Sequence, residues 1–264
     1  MIYKIEFFYS IKFLKMKIEE FFLTVYFWGM AIPSLLITAL CCVIIYPFVD
    51  EKTFARTYES LMGHTLLAAM TLPGFWKINI VDLRQDKTWK KPNGCEKRFV
   101  IIANHLSYVD SLISVLIPVS KKYMMGRIFS QVPIFGFLTR SAGYVTAEKG
   151  NVELNKTAVD RAVATINKDL CSFQLYVEGK RQTVPYVFEQ FKTGAYRIAR
   201  QTNLQILPVT LKGTYEAMHG IVVGRAEITV YIDDPFPIEN ENYPFYIKRS
   251  KTIFTKNLKL QKSN

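Results

Sequence analysis

The first third of the chain is dominated by apolar positions that follow neither a strand period nor an amphipathic helix period. No charged residue occurs in residues 21–49. As a helix rising about 1.5 Å per residue, this run would measure about 43 Å, more than the ~30 Å hydrocarbon core of a bilayer. Pro33 and Pro47 lie inside it, so we expect a bend or a break. The pattern predicts a membrane-embedded helical segment; the alternative is a pair of buried core helices.

A second uncharged run covers residues 61–76. It is short for a membrane span and fits a re-entrant or interfacial helix better. Lysines lie on both sides of the first run, which favours a hairpin or a bent anchor in one leaflet over a single polarised span. We therefore assign residues 1–74 to an N-terminal membrane anchor of one or two apolar helices.

From residue 75 onward, short apolar strands alternate with helical periods. Strands are predicted at residues 76–80, 99–103, 123–125, 144–147, 173–177, 205–211 and 226–232, and helices at 111–118, 152–170 and 194–201. This alternation is typical of an α/β domain in which helices cover a sheet. We place this α/β domain at residues 75–238.

Charge and composition narrow the class of partner. The chain has 264 residues, half of them hydrophobic, and 34 Lys and Arg against 22 Asp and Glu, a net charge of +12. The apolar content excludes a disordered chain, and the excess charge suits nucleic acid or an anionic membrane. The apolar runs favour the lipid bilayer as the partner, and we expect no contact with nucleic acid. The basic tail at residues 239–264 suits either an amphipathic helix on anionic lipid or an ordinary solvated helix. The four cysteines form no CxxC or Cys/His cluster, so we expect no metal site and no disulfide framework.

The strongest candidate chemistry follows the predicted strand at residues 99–103, where open α/β sheets place their reactive groups. His105 and Asp110 are five residues apart, and a turn into a helix folds that spacing back into contact. An aspartate on one imidazole nitrogen fixes the tautomer, so the other nitrogen can accept a proton from an alcohol. On spacing alone, a loop histidine with a helix-capping aspartate is the competing interpretation. Ser107 is predicted to orient His105 or to cap the following helix.

A second candidate cluster closes the strand at residues 173–177. Glu178 and Arg181 suit a salt bridge, or Lys180 and Arg181 hold a phosphate that Glu178 helps to orient. Backbone N–H groups near Gly179 are candidates for an oxyanion hole. Two further histidines carry weaker signals: His64 is predicted to be packed or interfacial, and His219 to be a surface or loop residue.

Four sequence blocks across residues 75–235 resemble the glycerophospholipid acyltransferases related to 1-acylglycerol-3-phosphate acyltransferase. Residues 104–110, NHLSYVD, fit that family's NHxSxxD pattern at every defined position. The glycine-bearing turn resembles the family's FPEGTRS block at Glu178, Gly179 and Arg181, with Lys180 in place of threonine. Residues 143–149 resemble the second block, with Lys149 in place of its arginine, and residues 207–209 the fourth block, associated with acyl-donor or structural roles.

The resemblance implies a layered mixed sheet flanked by helices, with His105 as general base supported by Asp110. Substrate contacts are expected at a wider set of residues: Asn104, Ser107, Lys149, Glu178, Gly179, Lys180 and Arg181. It also implies a membrane enzyme that moves a fatty acyl group from an acyl thioester, acyl-CoA or acyl carrier protein, to a lysophospholipid, with 1-acyl-sn-glycerol 3-phosphate as the preferred acceptor. No further cofactor is expected. The alternatives are another lysophospholipid headgroup, thioester hydrolysis, or a non-catalytic lipid-binding protein. The expected location is the endoplasmic reticulum membrane in a eukaryote or the inner membrane in a bacterium.

Overall fold

The computed structural model describes residues 17–147, 152–184, 187–188 and 190–259. It opens with a 28-residue helix, α1 (Ile18–Ile45), which ends in a 3₁₀ turn at Tyr46–Phe48. Of the two prolines at which a bend or a break was expected, Pro33 lies within the unbroken α1, and Pro47 lies in the turn that ends this helix. Among the described residues, Ile18–Phe48 is the segment long and apolar enough to cross a membrane, judged by length and composition alone.

The second apolar run belongs to a helical segment that packs against α1. Helix α2 (Glu51–Glu59) begins at Asp50, whose carboxylate accepts the Thr53 N–H at 2.8 Å, and a π turn (Ser60–His64) joins it to α3 (Thr65–Thr71). The α3 side chains Leu66 and Met70 are buried in the main core. One side of α3 therefore packs on the core, as a core helix would, and contact of this segment with lipid stays a prediction.

Within the described part of the chain, nine strands form the sheets of the catalytic region. They are β1 (Trp76–Asp82), β2 (Phe99–Ala103), β3 (Lys121–Gly126), β4 (Val145–Ala147), β5 (Ser172–Tyr176), β6 (Gln205–Lys212), β7 (Met218–His219), β8 (Val222–Val223) and β9 (Ala226–Ile232). The seven-stranded sheet has the order β1-β9-β6-β2-β5-β3-β4, and β7 and β8 form a separate hairpin. Every pair in the large sheet is parallel except β6 with β9, which is antiparallel. The predicted mixed α/β sheet is confirmed.

Further helices in the same described ranges connect and cover the strands. They are α4 (Asp110–Ser114), α5 (Arg127–Ser130), α6 (Pro133–Ser141), α7 (Val152–Asp169), α8 (Gly194–Thr202), α9 (Thr214–Ala217) and α10 (Tyr243–Lys259). Helices α7 and α8 agree with the sequence. Helix α4 stops at Ser114, earlier than predicted, because the chain turns there toward β3. The sequence pattern did not predict α5 and α6.

Strand β2 lies at the centre of the sheet and divides two hydrophobic cores. Because side chains alternate along a strand, Ile101 joins the core under α1 and α3, and Ile102 joins the core under α7, α8 and α10. The basic C-terminal tail takes part in the second core through Tyr246 and Phe254 of α10. The apolar side of that helix therefore faces the sheet.

Candidate active site

His105 lies just beyond the carboxyl end of β2, in a loop (residues 104–109, the His105 loop) that leads into α4. Its imidazole Nδ1 lies 2.7 Å from Oδ2 of Asp110. The spacing in the sequence predicted this contact, and the start of α4 at Asp110 explains it, because the helix turns the carboxylate back over the loop. An ionised carboxylate only accepts hydrogen bonds, so the proton lies on Nδ1 and the Nε2 lone pair is left available.

Asp110 is held by more than the imidazole. Its Oδ2 also accepts the backbone N–H groups of Leu106 at 2.7 Å and Ser107 at 2.8 Å, and its side chain is fully buried. Three donors directed at one oxygen fix the carboxylate in a single orientation, and that orientation fixes the imidazole ring. The pair therefore meets the geometric requirement for a histidine base oriented by an aspartate.

One face of the imidazole is covered by Tyr176, the last residue of β5. The two rings are stacked, with centroids 4.0 Å apart and planes inclined by 11°. The Tyr176 hydroxyl lies 3.2 Å from Oγ of Ser111, and burial raises the pKa of this phenol well above its usual range, so it stays neutral. The His105 side chain keeps 18% of its surface exposed, so a substrate can reach it.

Asn104 and Ser107 belong to the His105 loop, and both have almost no exposed surface. The Asn104 amide donates to the Leu211 carbonyl at 2.8 Å and accepts the Leu211 N–H at 2.7 Å, which ties the loop to β6. The Ser107 hydroxyl donates to the Met218 carbonyl at 2.6 Å and accepts the Val109 N–H at 3.3 Å. The expectation that these two side chains contact substrate does not fit this geometry, because both are occupied by the main chain.

The turn at residues 178–182 (the Glu178 turn) clamps the backbone of His105. The Glu178 carboxylate accepts the His105 N–H at 3.2 Å, and the Gln182 N–H donates to the His105 carbonyl at 2.8 Å. Gly179 has a φ of 66°, in the region that favours glycine, and its N–H donates to the Tyr176 carbonyl at 3.0 Å. That N–H is engaged within the turn, which removes it as an oxyanion donor.

The basic residues of the Glu178 turn lie at the surface beside the His105 loop. The Arg181 guanidinium carbon lies 3.4 Å from the ring centroid of Tyr108, three residues after His105. Lys180 is exposed. This cation–π contact holds the Arg181 charge next to the loop, where an anionic group approaching His105 would meet it. Among the described residues no Glu178–Arg181 salt bridge forms: the Glu178 carboxylate accepts the His105 N–H, and Arg181 stacks on Tyr108.

The remaining predicted residues are dispersed. Lys149 lies outside the described residues. Leu207 and Val209 of the fourth block are buried in β6, next to β2, where they support the central strand. His64 is exposed, and His219 stacks on Tyr215 at 5.7 Å in the small hairpin, so neither joins the His105–Asp110 pair.

Sequence reasoning missed the Tyr176 stack and the Glu178 clamp. Both join residues about seventy positions apart, and they arise because β2 and β5 pair in parallel with Ala103 opposite Tyr176. The sequence carried one signal for them: the Glu178 turn directly follows a predicted strand, so that its residues had to lie at the same sheet edge as His105.

Comparison with known proteins identifies the family of this mixed α/β domain. The family model "Acyltransferase" matches residues 79–212, half of the chain, and the chain belongs to this family. That range begins in β1, ends with β6, and contains both the His105 loop and the Glu178 turn.

Three curated relatives of this chain are all named 1-acyl-sn-glycerol-3-phosphate acyltransferases. The chain is 28% identical over 167 residues to a 1-acyl-sn-glycerol-3-phosphate acyltransferase of Cocos nucifera, covering 61% of this chain and 54% of that protein. It is 26% identical over 153 residues to the chloroplastic enzyme LPAT1 of Arabidopsis thaliana, covering 58% and 41%. A relative of the same name in Saccharomyces cerevisiae is 24% identical over 164 residues, covering 56% and 50%. The chain thus spans about half the length of these curated relatives.

A solved structure shares the fold. The 1-acyl-sn-glycerophosphate acyltransferase PlsC from Thermotoga maritima superposes with a TM-score of 0.72 at 18% identity, covering 94% of this chain and 99% of that one. The similarity extends over the N-terminal helices as well as the sheet, because almost the whole chain is covered.

Proposed function

We propose that this protein transfers a fatty acyl group from an acyl thioester to the free hydroxyl of 1-acyl-sn-glycerol 3-phosphate, forming phosphatidate. The observation that carries the proposal is the 2.7 Å contact between His105 and a buried Asp110 whose oxygen also holds two backbone N–H groups. The names of the relatives support the acceptor, since those named above are acyltransferases acting on 1-acyl-sn-glycerol 3-phosphate.

His105 acts as the general base in this proposal. Its Nε2 takes the proton of the acceptor hydroxyl as the oxygen attacks the thioester carbonyl carbon. The tetrahedral intermediate then collapses, the carbon–sulfur bond breaks, and the imidazolium returns the proton to the departing thiolate. Asp110 orients the ring and stabilises its positive charge during the step, and Tyr176 limits the ring to one plane. No acyl-enzyme is needed.

Arg181 and Lys180 bind the acceptor's phosphate. Arg181 offers a fork of N–H donors suited to a phosphate, and its stacking on Tyr108 brings that fork next to the His105 loop. A phosphate held there positions the glycerol hydroxyl near the base, which is the proximity contribution to the rate. Lys149 is the further candidate for this contact. Asn104, Ser107 and Glu178 are positioning residues, since they hold the loop through its main chain.

Membrane attachment through α1 completes the proposal. Both substrates are amphiphiles, and the outward side of α1 is apolar along most of its length. An enzyme at the headgroup level receives acyl chains from the lipid phase and keeps the phosphate in water. The donor is an acyl thioester, acyl-CoA or acyl carrier protein, and the site needs no metal or other cofactor for this chemistry.

The direct test is an assay of the purified protein with labelled acyl-CoA and 1-acyl-sn-glycerol 3-phosphate in detergent micelles. We expect phosphatidate as product, and His105→Ala to lower kcat by about 10²- to 10⁴-fold. The matched control is His219→Ala, a histidine of the same domain outside the site, which should retain activity. Free fatty acid released without any need for acceptor would instead indicate a hydrolase, and unchanged acyl transfer by His105→Ala would refute the base assignment.

The acceptor assignment has its own test. Arg181→Ala should raise KM for the acceptor more than KM for the donor, because the lost contact is to the acceptor's phosphate. The control is Arg200→Ala, an exposed arginine near the end of α8. A panel of lysophospholipids with other headgroups measures the same preference, and equal KM changes for both substrates would contradict the division of roles.

A further inference from the structure

The unpredicted pair α5–α6 presents apolar side chains to the outside. Together with Tyr108 of the His105 loop, these form what we call the α5–α6 apolar surface, whose members are all 37% exposed or more: Tyr108, Ile128, Phe129, Val132, Ile134 and Phe137. Ile128 is the most open, with 72% of its surface exposed. Single exposed apolar side chains are common on proteins, but a contiguous group of this kind marks an interaction surface.

This surface connects the end of α1 to the candidate active site. At one end, the ring of Phe137 lies 6.2 Å from that of Tyr46 in the turn after α1, next to the 83% exposed Phe48. At the other end, the ring of Phe129 lies 6.1 Å from Tyr108, on which Arg181 stacks. The apolar outer side of α1 and the α5–α6 apolar surface are therefore continuous, and they lead to the loop that carries His105.

The exposed charges on the chain segment that forms the surface have one sign. No acidic residue occurs between Asp110 and Glu148. Arg127 and Arg140 are exposed on α5 and α6, while the two lysines of this stretch, Lys121 and Lys122, are buried. Aromatic and aliphatic side chains flanked by two exposed arginines match the interface of a membrane containing anionic lipid, where apolar groups enter the acyl boundary and cations meet the headgroups.

We propose that the α5–α6 apolar surface is a second contact of this protein with the phospholipid bilayer, separate from α1. It holds the catalytic domain against the membrane with Ile128 and Phe137 at the acyl-chain boundary and with Arg127 and Arg140 at the headgroup level. Contact at this position brings Tyr108, and with it the His105 loop, to the lipid surface. A lipid then reaches His105 by lateral movement instead of leaving the bilayer.

The test uses tryptophan as a depth probe in the full chain. Ile128→Trp adds one tryptophan on the surface, and the matched control Phe245→Trp adds one at a similarly open apolar position (56% exposed) on α10, over the other core. Each variant is bound to phosphatidylcholine–phosphatidylglycerol vesicles with or without bromine on the acyl chains near the headgroup. The emission of the parent chain, with its three tryptophans, is subtracted. Binding is checked by sedimentation, and folding by circular dichroism.

We expect brominated lipid to reduce the added emission of Ile128→Trp at least twofold and to leave that of Phe245→Trp nearly unchanged. Val132→Trp is a second probe of the same surface and should behave as Ile128→Trp does. Equal quenching at Ile128 and Phe245, no quenching at Ile128 or Val132 in sedimented protein, or failure to sediment at all would overturn the proposal. A blue shift at Ile128 that grows with protein concentration without lipid would put a second copy of the chain on the surface, and would overturn it as well. None of these readouts depends on acyl transfer.

Discussion

On one face of the sheet, α1 and α3 bury Phe27 and Met70; on the other, α8 and α10 bury Tyr196 and Phe254. The side chains that face the sheet are buried and apolar in both layers. The side chains that face outward differ in polarity between the two layers. Outward positions of α1 are apolar, such as Ile37 and Leu40, each 62% exposed, whereas α8 and α10 expose lysines and arginines.

This difference shows that burial against the sheet does not explain the apolar character of α1. A helix that covers a core in water needs one apolar side, as α8 and α10 have. Helix α1 is apolar on both sides, which is the pattern of a helix with protein on one side and hydrocarbon on the other. The exposed side chains of α5 and α6 extend the same apolar exterior toward His105.

The largest expected effect comes from placing charge on the outer side of α1. Ile37→Lys combined with Leu40→Lys should cost about 3 kcal/mol per residue in a bilayer interior, and should lower sedimentation with zwitterionic vesicles by more than about tenfold. The matched control, Ala164→Lys with Asn167→Lys, places the same charges at the same spacing on exposed positions of α7 and should change nothing. Unchanged sedimentation of the α1 variant would contradict the proposal that the outward side of α1 contacts lipid.

The next effect tests the inner sides, where we expect no difference. Ile101→Ala and Ile102→Ala are adjacent truncations on β2, both fully buried, one in each core. Each should lower the free energy of unfolding by about 2–5 kcal/mol, and the milder Ile→Val changes by about 0.5–1.5 kcal/mol. Denaturant unfolding in detergent measures this. A loss below about 1 kcal/mol at Ile101 alone would mean that α1 and α3 do not form a packed core with the sheet.

The smallest effect concerns hydroxyl links between helices. The Tyr196 hydroxyl donates to Oγ of Ser250 at 2.9 Å, joining α8 to α10, and burial raises the pKa of Tyr196 to about 12, although this hydrogen bond lowers it. Tyr196→Phe should cost about 0.5–1.5 kcal/mol at pH 7. The corresponding change on the α1 side of the sheet is Tyr26→Phe. The Tyr26 hydroxyl donates to the Ala69 carbonyl of α3 at 3.1 Å from a half-exposed position, so its loss should cost less.

The same tyrosine gives a pH dependence. Between pH 10 and 12, the Tyr196 phenol ionises in the unfolded chain but stays neutral in the folded one, so stability should fall as the pH rises through this range. Tyr196→Phe should remove that share of the fall, as measured by unfolding at each pH. A variant with the same slope as the parent would show that Tyr196 is not the group responsible.

The sequence predicted those elements whose own side-chain pattern identifies them. Strands β2, β6 and β9 are short apolar runs that are buried along most of their length. Helices α7 and α8 bury one side and expose polar groups on the other, so their helical period is visible in the sequence. Helices α5 and α6 were missed because α5 has only four residues and α6 exposes Ile134 and Phe137, so that its apolar positions do not mark the buried side. The pattern of residues 61–76 does not separate a core helix from an interfacial one, because an apolar run has the same composition in a core as in a membrane.

In the candidate site, too, some contacts were predictable from the sequence and others were not. The His105–Asp110 contact was predictable because five residues and one turn determine it. The positions of Asn104 and Ser107 were not, because their partners, Leu211 and Met218, lie more than a hundred residues away. The Tyr176 stack on His105 likewise depends on the register of β2 with β5. The local spacing thus predicted the His105–Asp110 pair, whereas the pairing of distant strands determines which other residues contact it.

The central claim is that His105 and Asp110 act as one unit in acyl transfer, and a double-mutant cycle tests it most directly. Asp110→Asn keeps an oxygen for the Leu106 and Ser107 N–H groups but removes the carboxylate that orients the imidazole, and circular dichroism and unfolding check that the loop persists. We predict that Asp110→Asn lowers kcat by about 10²- to 10⁴-fold in the parent chain, and has almost no further effect in His105→Ala, because residues acting as a unit are not additive. If instead the two reductions multiply, Asp110 does not act through His105, and the account is wrong.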